Sequence, residues 1–116
     1  MPWVEMYWNP DAITDDLLKR IISMLPSVIA RAFDVPDDPD GRLTVDDIEI
    51  KTDEFNDFDK YSNPLNIIIR TEDYEARRAN LRERIRSVKA AIKEMLPENI
   101  HGFVWVRPVE GAFEEF

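Results

Sequence analysis

Residues 3–33 read WVEMYWNPDAITDDLLKRIISMLPSVIARAF, a strand-like segment followed by an amphipathic helical one. In Trp3–Trp8 apolar side chains occupy both alternating faces, which is typical of an interior strand. Thr14 can cap the helix with its hydroxyl, and Asp15 and Asp16 then suit the positive end of the helix dipole. Apolar residues recur at helical spacing to the end of the stretch. The segment therefore predicts a strand and a long helix that share one core.

Proline interrupts this helical pattern at Pro26. Because proline lacks a backbone N–H and its ring clashes with the preceding turn, we expect a kink or a break near Met24. After the helix, residues 34–41 read DVPDDPDG and predict a loop, since they consist mainly of turn-forming residues.

The remaining chain completes the first strand–helix–strand unit and adds a second one. Residues 45–55 alternate between apolar and polar and predict a half-buried strand, and residues 65–69 form a β-branched run typical of a buried strand. Thr71 is expected to cap a second amphipathic helix. Residues 101–107 predict a fourth strand, which Pro108 should end.

Two halves of similar design result, covering about residues 2–55 and 65–108. We expect an α/β (α+β) fold of two fused βαβ units, with a four-stranded mixed sheet and two helices on one face. A single domain over residues 1–116 fits the usual domain size. Two architectures share this order, the ferredoxin-like split βαβ and a pseudo-symmetric pair of βαβ units, and order alone does not separate them.

Charge and hydropathy limit the partners. The 116 residues include 24 acidic and 15 basic side chains, a net charge of −9, which repels phosphate backbones. We therefore expect neither nucleic acid nor a membrane surface as a partner. No apolar run is long enough to cross a bilayer, and the first residues do not resemble a secretory signal. These features predict a cytoplasmic protein.

The sequence has no cysteine and one histidine, His101. This excludes a disulfide framework, thiolate zinc sites, a cysteine nucleophile and multi-histidine metal sites. Residues 36–47 partly match a calcium-binding loop, but Pro36 stands where the first ligand belongs and Asp47 replaces the longer bidentate Glu. We expect no metal and no cofactor.

Charged residues are unevenly distributed. Residues 34–59 hold eleven acidic side chains against Arg42 and Lys51, whereas residues 70–93 hold eight basic side chains against four acidic ones. Opposite patches of this size could meet between subunits. They could equally form two separate solvated faces.

Pro2 is the candidate catalytic group. If Met1 is removed, Pro2 presents a secondary amine at the head of a strand rich in Trp and Tyr. An α-amino group titrates at about 7.7–8.0, and an apolar environment disfavours its protonated form. Such an amine can act as a base near neutral pH.

Three features together resemble the tautomerase superfamily, which includes 4-oxalocrotonate tautomerase and malonate semialdehyde decarboxylase. They are Met-Pro opening an apolar strand, the stretch AFDVPDDPDGRLTV over residues 32–45, and an arginine closing the third strand. The resemblance implies a homotrimer acting on a small 2-oxo or 3-oxo carboxylic acid. If active, the protein would be a keto-enol tautomerase, which is an isomerase, or a related lyase. The alternative is a non-catalytic trimer of this fold or a ferredoxin-like binding module.

The resemblance also implies roles for individual residues. Pro2 would match the catalytic amino-terminal proline, Arg70 the arginine that holds the substrate carboxylate, and Asp40 the aspartate that assists the decarboxylases. The predicted substrate-binding residues are Arg42, Arg107, Tyr7 and Phe113.

The sequence departs from the family pattern at two places. Glu72 stands where the decarboxylases have a second arginine, and the first strand-to-helix loop has no arginine. The decarboxylase reaction is therefore not assigned.

Overall fold

A computed structural model describes residues 2–112 and 114–116. Its strands are β1 (Trp3–Trp8), β2 (Glu49–Glu54), β3 (Leu65–Glu72) and β4 (Gly102–Val109). Its α-helices are α1 (Asp15–Phe33), α2 (Glu75–Arg78) and α3 (Leu81–Met95), and a 3₁₀ turn at Val45–Asp47 precedes β2.

The four strands form one mixed sheet in the order β2, β1, β3, β4. β1 pairs with β2 in parallel, β3 pairs with β4 in parallel, and the central β1 and β3 are antiparallel. The two strands of each βαβ unit are thus direct neighbours, with no strand inserted between them. This strand order is that of the pseudo-symmetric pair of βαβ units, and it excludes the split βαβ arrangement, which the sequence left open.

Helix α1 begins as predicted, with the Thr14 hydroxyl accepting a hydrogen bond of 3.2 Å from the backbone N–H of Leu17. Of the predicted kink or break near Met24, the break does not occur, because α1 continues as one helix through Pro26 to Phe33. An internal proline costs about 3 kcal/mol. Burial of the apolar face of α1 on the sheet opposes that cost; its buried residues are Leu17, Leu18, Ile21, Leu25, Ile29, Ala30, Ala32 and Phe33.

The second helix does not start at Thr71, as the sequence predicted. Strand β3 extends to Glu72, so Thr71 lies within it, and its side chain is buried. The helix that packs on α1 is α3, and its amino-terminal cap position is Asn80. A Thr followed by acidic residues is a helix signal, but here the Thr71 hydroxyl has a buried arginine as its partner.

Two strand boundaries also differ from the predictions. The predicted strand at residues 45–55 begins as a 3₁₀ turn, and only Glu49–Glu54 forms β2. Pro108 does not end the fourth strand, since β4 continues to Val109. Because β4 is an edge strand, a residue without an N–H is tolerated there.

Both long helices cover one face of the sheet, and the core lies between these two layers. The opposite face, which we call the open face, carries partly exposed apolar side chains and two arginines: Trp3, Ile68, Phe103, Trp105, Val109, Arg70 and Arg107. Among the described residues, no helix is both long and apolar enough to cross a membrane.

Candidate functional site

The amino end of β1 places Pro2 between the two neighbouring strands. Pro2 is buried, and its carbonyl accepts a hydrogen bond of 3.3 Å from the backbone N–H of Glu49 at the start of β2. On the other side Trp3 faces Arg70, so continuing the antiparallel register by one residue places Pro2 across from Thr71. Side chains alternate along a strand, so Pro2 faces the helices, as Val4 does.

A buried arginine, Arg77, occupies the helix side of this sheet end, with only 1% of its surface exposed. Its Nε donates to the Phe33 carbonyl at 2.8 Å and its Nη2 to the Gly41 carbonyl at 3.1 Å. Its Nη1 donates to the Thr71 hydroxyl at 3.0 Å and to the Glu72 carbonyl at 3.4 Å. One guanidinium thereby joins the end of α1, the following loop and the end of β3.

The acceptors of these four hydrogen bonds are neutral oxygens. Burial lowers the pKa of Arg77, but an arginine stays charged at neutral pH. The Arg77 guanidinium also lies 4.8 Å from the ring centre of Tyr74, a favourable cation–π contact. A positive charge therefore lies beneath the amino end of β1.

Tyr74 adds a polar group to the same region. Its hydroxyl lies 2.8 Å from the Glu72 carboxylate and 2.9 Å from the Asp40 carbonyl, two acceptors for its single proton. The hydrogen bond to Glu72, followed by burial, raises the pKa of Tyr74 to about 12. Tyr74 is thus a neutral hydrogen-bond donor at physiological pH.

Asp40 and Arg42 lie in the exposed loop that follows α1. The backbone N–H of Asp40 donates to Asp38 Oδ1 at 2.9 Å, and Arg42 Nε donates to the Pro36 carbonyl at 3.0 Å. Asp40 contacts Tyr74 through its backbone carbonyl. These hydrogen bonds fix the loop beside Tyr74.

Arg70 is on the open face, opposite to the side that Pro2 faces. Its Nη1 forms an ion pair and hydrogen bond with Glu5 Oε1 on β1. Tyr7 donates to the other oxygen of the same carboxylate at 2.5 Å. Glu5 therefore links two of the residues that the sequence singled out.

Arg107 is the direct register partner of Arg70 across β3 and β4. Its guanidinium lies 5.0 Å from the ring centre of Trp105. Two arginines thus stand side by side at one end of the open face, and Glu5 engages one of them. Phe113, the remaining predicted substrate-binding residue, lies outside the described residues.

The structure separates the predicted site residues into two groups. Pro2 and the Asp40 loop lie toward the helix side, whereas Arg70, Arg107 and Tyr7 lie on the open face. The contacts of Thr71, Tyr74 and Arg77 were not predicted from the sequence. Nothing in the sequence distinguishes Arg77 from the other basic residues in this part of the chain. Only the tertiary structure shows that it is buried.

Comparison with known proteins gives structural likeness only. No protein-family model and no curated protein matches the sequence. A protein with a domain of unknown function, DUF1904, from Sebaldella termitidis aligns at 11% identity and a TM-score of 0.59, over 95% of this chain and 90% of that one.

Two further solved structures align over most of the chain. A protein of unknown function from Vibrio cholerae aligns at 9% identity and a TM-score of 0.63, over 94% of this chain and 78% of that one. A fused 4-OT protein described as a symmetric trimer aligns at 10% identity and a TM-score of 0.61, over 92% and 85%. The chain therefore has the tautomerase-like α+β fold of paired βαβ units that the sequence predicted, and these identities carry the fold alone.

Proposed function

We propose that the protein transfers a proton on a small 2-oxo or 3-oxo acid, with Pro2 as the proton carrier once Met1 is removed. The observation that carries this proposal is the placement of Pro2, buried at the head of a central strand beside Thr71. Burial disfavours the charged form of an amine and so favours a free base near neutral pH. An assay of protein with and without Met1 on the enol form of a phenylpyruvate-like acid tests the proposal.

The proposed reaction needs one basic nitrogen and one carboxylate anchor. The Pro2 amine takes the proton from the enol oxygen, and the resulting ammonium returns a proton to the neighbouring carbon, giving the keto acid. Tyr74 stays protonated, and its hydroxyl with the Asp40 loop forms one wall of the site. The positive charge of Arg77, which lies on the helix side near Pro2, stabilises the negative charge of the enolate that forms when the proton leaves.

Arg70 is the proposed anchor for the substrate carboxylate, since a guanidinium matches a planar carboxylate with two parallel hydrogen bonds. The Arg70 side chain lies on the open face, but the Pro2 nitrogen is a main-chain atom at the end of β1, one residue beyond the Trp3–Arg70 pair, so a small acid bound over this end of the sheet contacts both groups. In the free protein Glu5 already provides a carboxylate to this group. A substrate must therefore compete with Glu5 for Arg70. Arg107 lies beside Arg70 and adds positive charge at the same end of the open face.

This competition predicts opposite effects for two variants. Arg70→Gln should weaken binding of phenylpyruvate by about 10-fold or more, because a charge-assisted hydrogen bond contributes about 1.5–3 kcal/mol. Glu5→Gln removes the competing carboxylate and should tighten binding. Calorimetric titration measures both, with Arg107→Gln as the neighbouring control, which should have a smaller effect. Equal losses in the two arginine variants would remove Arg70 from the site.

A trimer forms part of the proposal. The open face leaves Trp3, Phe103, Trp105 and Val109 between 40% and 53% exposed, and no helix in the described ranges covers them. A large contiguous apolar patch marks an interaction surface in soluble proteins. We assign the apolar side chains of this face to contacts between identical subunits, with the proposed substrate site of Arg70 and Arg107 at the edge of the contact.

Sedimentation should give about three times the 13.6 kDa chain mass at micromolar concentration. Trp105→Glu places a charge in the proposed interface and should shift the protein toward monomer, since an unpaired charge at an interface is strongly unfavourable. Phe58, which is 98% exposed in a loop, provides the control: Phe58→Glu should leave the mass unchanged. A monomeric wild-type protein would contradict this part of the proposal.

A non-catalytic trimer of the same fold is the second candidate. The ion pair between Arg70 and Glu5 favours it, because the proposed anchor is neutralised within its own chain. Absence of turnover in the processed protein, together with trimer formation, would select this candidate.

A further inference from the structure

A second concave site lies at the end of the sheet remote from Pro2. The cavity has a volume of about 250 Å³ and lies between α3 and strands β3 and β4. It lies near Leu65, which faces Trp8 at the far end of β1. At about 3.4 Å per residue, the five steps from Trp3 to Trp8 separate the two sites by roughly 17 Å. This cavity is not part of the proposed proline site.

The lining of the cavity is apolar. Ile85 and Ile92 contribute from α3, and Ile67 and Val104 from the two strands. Gly102 opens β4 at the edge of the cavity, and a Cβ added there would lie only 2.1 Å from the Leu65 carbonyl oxygen. Glycine therefore lets β4 approach β3 closely at this point.

The rim of the cavity is basic. Lys89 and Lys93 lie four residues apart and so share one face of α3, and His101 stands at the head of β4. Both lysines are exposed, and neither forms an ion pair within the described part of the chain. In a protein of net charge −9, two adjacent uncompensated lysines beside an apolar cavity are complementary to an anion with an apolar tail.

The volume of the cavity limits the size of the ligand that it can hold. A dry protein cavity of about 150 Å³ accommodates benzene, so 250 Å³ accommodates roughly ten non-hydrogen atoms. A straight chain of about eight carbons has this bulk. A polar head group would then reach the lysines at the rim.

We propose that this cavity binds a medium-chain carboxylate, with its hydrocarbon chain against Ile85, Ile92 and Val104 and its carboxylate at Lys89 and Lys93. The proposal is independent of the proline chemistry. Binding needs no covalent step, and the ligand need not be a 2-oxo acid.

Octanoate is the test probe, and octanol is its uncharged match. In methyl NMR titrations of the full chain, octanoate should shift the signals of Ile85, Ile92 and Val104 and saturate at or below millimolar concentration. Octanol should bind several-fold more weakly. A variant carrying both Lys89→Gln and Lys93→Gln should weaken octanoate binding about three- to tenfold, as expected for exposed charge pairs, and leave octanol binding unchanged.

The matched control carries Lys19→Gln and Lys60→Gln, which remove two exposed lysines elsewhere, and should bind octanoate as the wild type does. Equal affinities for octanoate and octanol would overturn the proposal. Shifts confined to the methyl groups of Ile68 and Val109 on the open face would overturn it as well. Octanoate-induced shifts that do not saturate would also overturn the proposal.

Discussion

Arg77→Met is expected to lower the free energy of unfolding by about 3–5 kcal/mol, because it removes all the donors of a buried polar network. The substitution leaves the Phe33 and Gly41 carbonyls and the Thr71 hydroxyl without their partner. Buried acceptors without a partner are costly, and methionine fills the space without supplying a proton. Urea denaturation measures the change as a lower midpoint at unchanged slope.

The neighbouring Arg78 is a matched control. It is exposed and pairs with Asp73 at 2.7 Å, so Arg78→Met should cost at most about 1 kcal/mol. Arg77→Lys should recover only part of the loss, because a single ammonium cannot satisfy acceptors on three segments. Equal destabilisation by Arg77→Met and Arg78→Met would show that the network does not hold the end of α1, the loop and β3 together.

The first half of the fold could be predicted because its patterns are strong and local. The apolar strand Trp3–Trp8 and the Thr14 cap are both present as expected. The fate of Pro26 could not be predicted, since it depends on how firmly the buried face of α1 is held by the sheet. The local sequence indicates that a proline destabilises a helix, but it does not show the tertiary packing that offsets this cost.

The candidate site was predicted less completely, because its contacts depend on register. The sequence placed Arg70 at the end of the third strand, whereas β3 continues two residues further to Glu72. Its pairing with Glu5 also requires β1 and β3 to be antiparallel neighbours. Thr71 resembled a helix cap, but its hydroxyl accepts a hydrogen bond from Arg77, a buried side chain six residues later. The order of elements also left two strand arrangements open, and only the pairing of β1 with β2 separates them.

Removal of Met1 is expected to produce the largest change in activity. When Met1 precedes it, the Pro2 nitrogen is an amide and has no basic lone pair. When Pro2 is the first residue, the same nitrogen is a secondary amine with a basic lone pair, and burial disfavours its protonated form. The two forms of the protein therefore differ in the proposed base and share every other side chain of the site.

Processed protein should tautomerise the enol form of phenylpyruvate about 10² to 10⁴ times faster than protein that retains Met1, the usual contribution of a general base. Mass spectrometry identifies each form, and ultraviolet absorbance follows loss of the enol. The rate of the processed form should rise with pH through the pKa of the amine, because only the unprotonated amine accepts the proton. Pro2→Ala is a weaker control, since it leaves a primary amine after processing. Equal rates for the two forms would place the base elsewhere, and no turnover by either form on several 2-oxo acids would leave a trimer of this fold without catalysis.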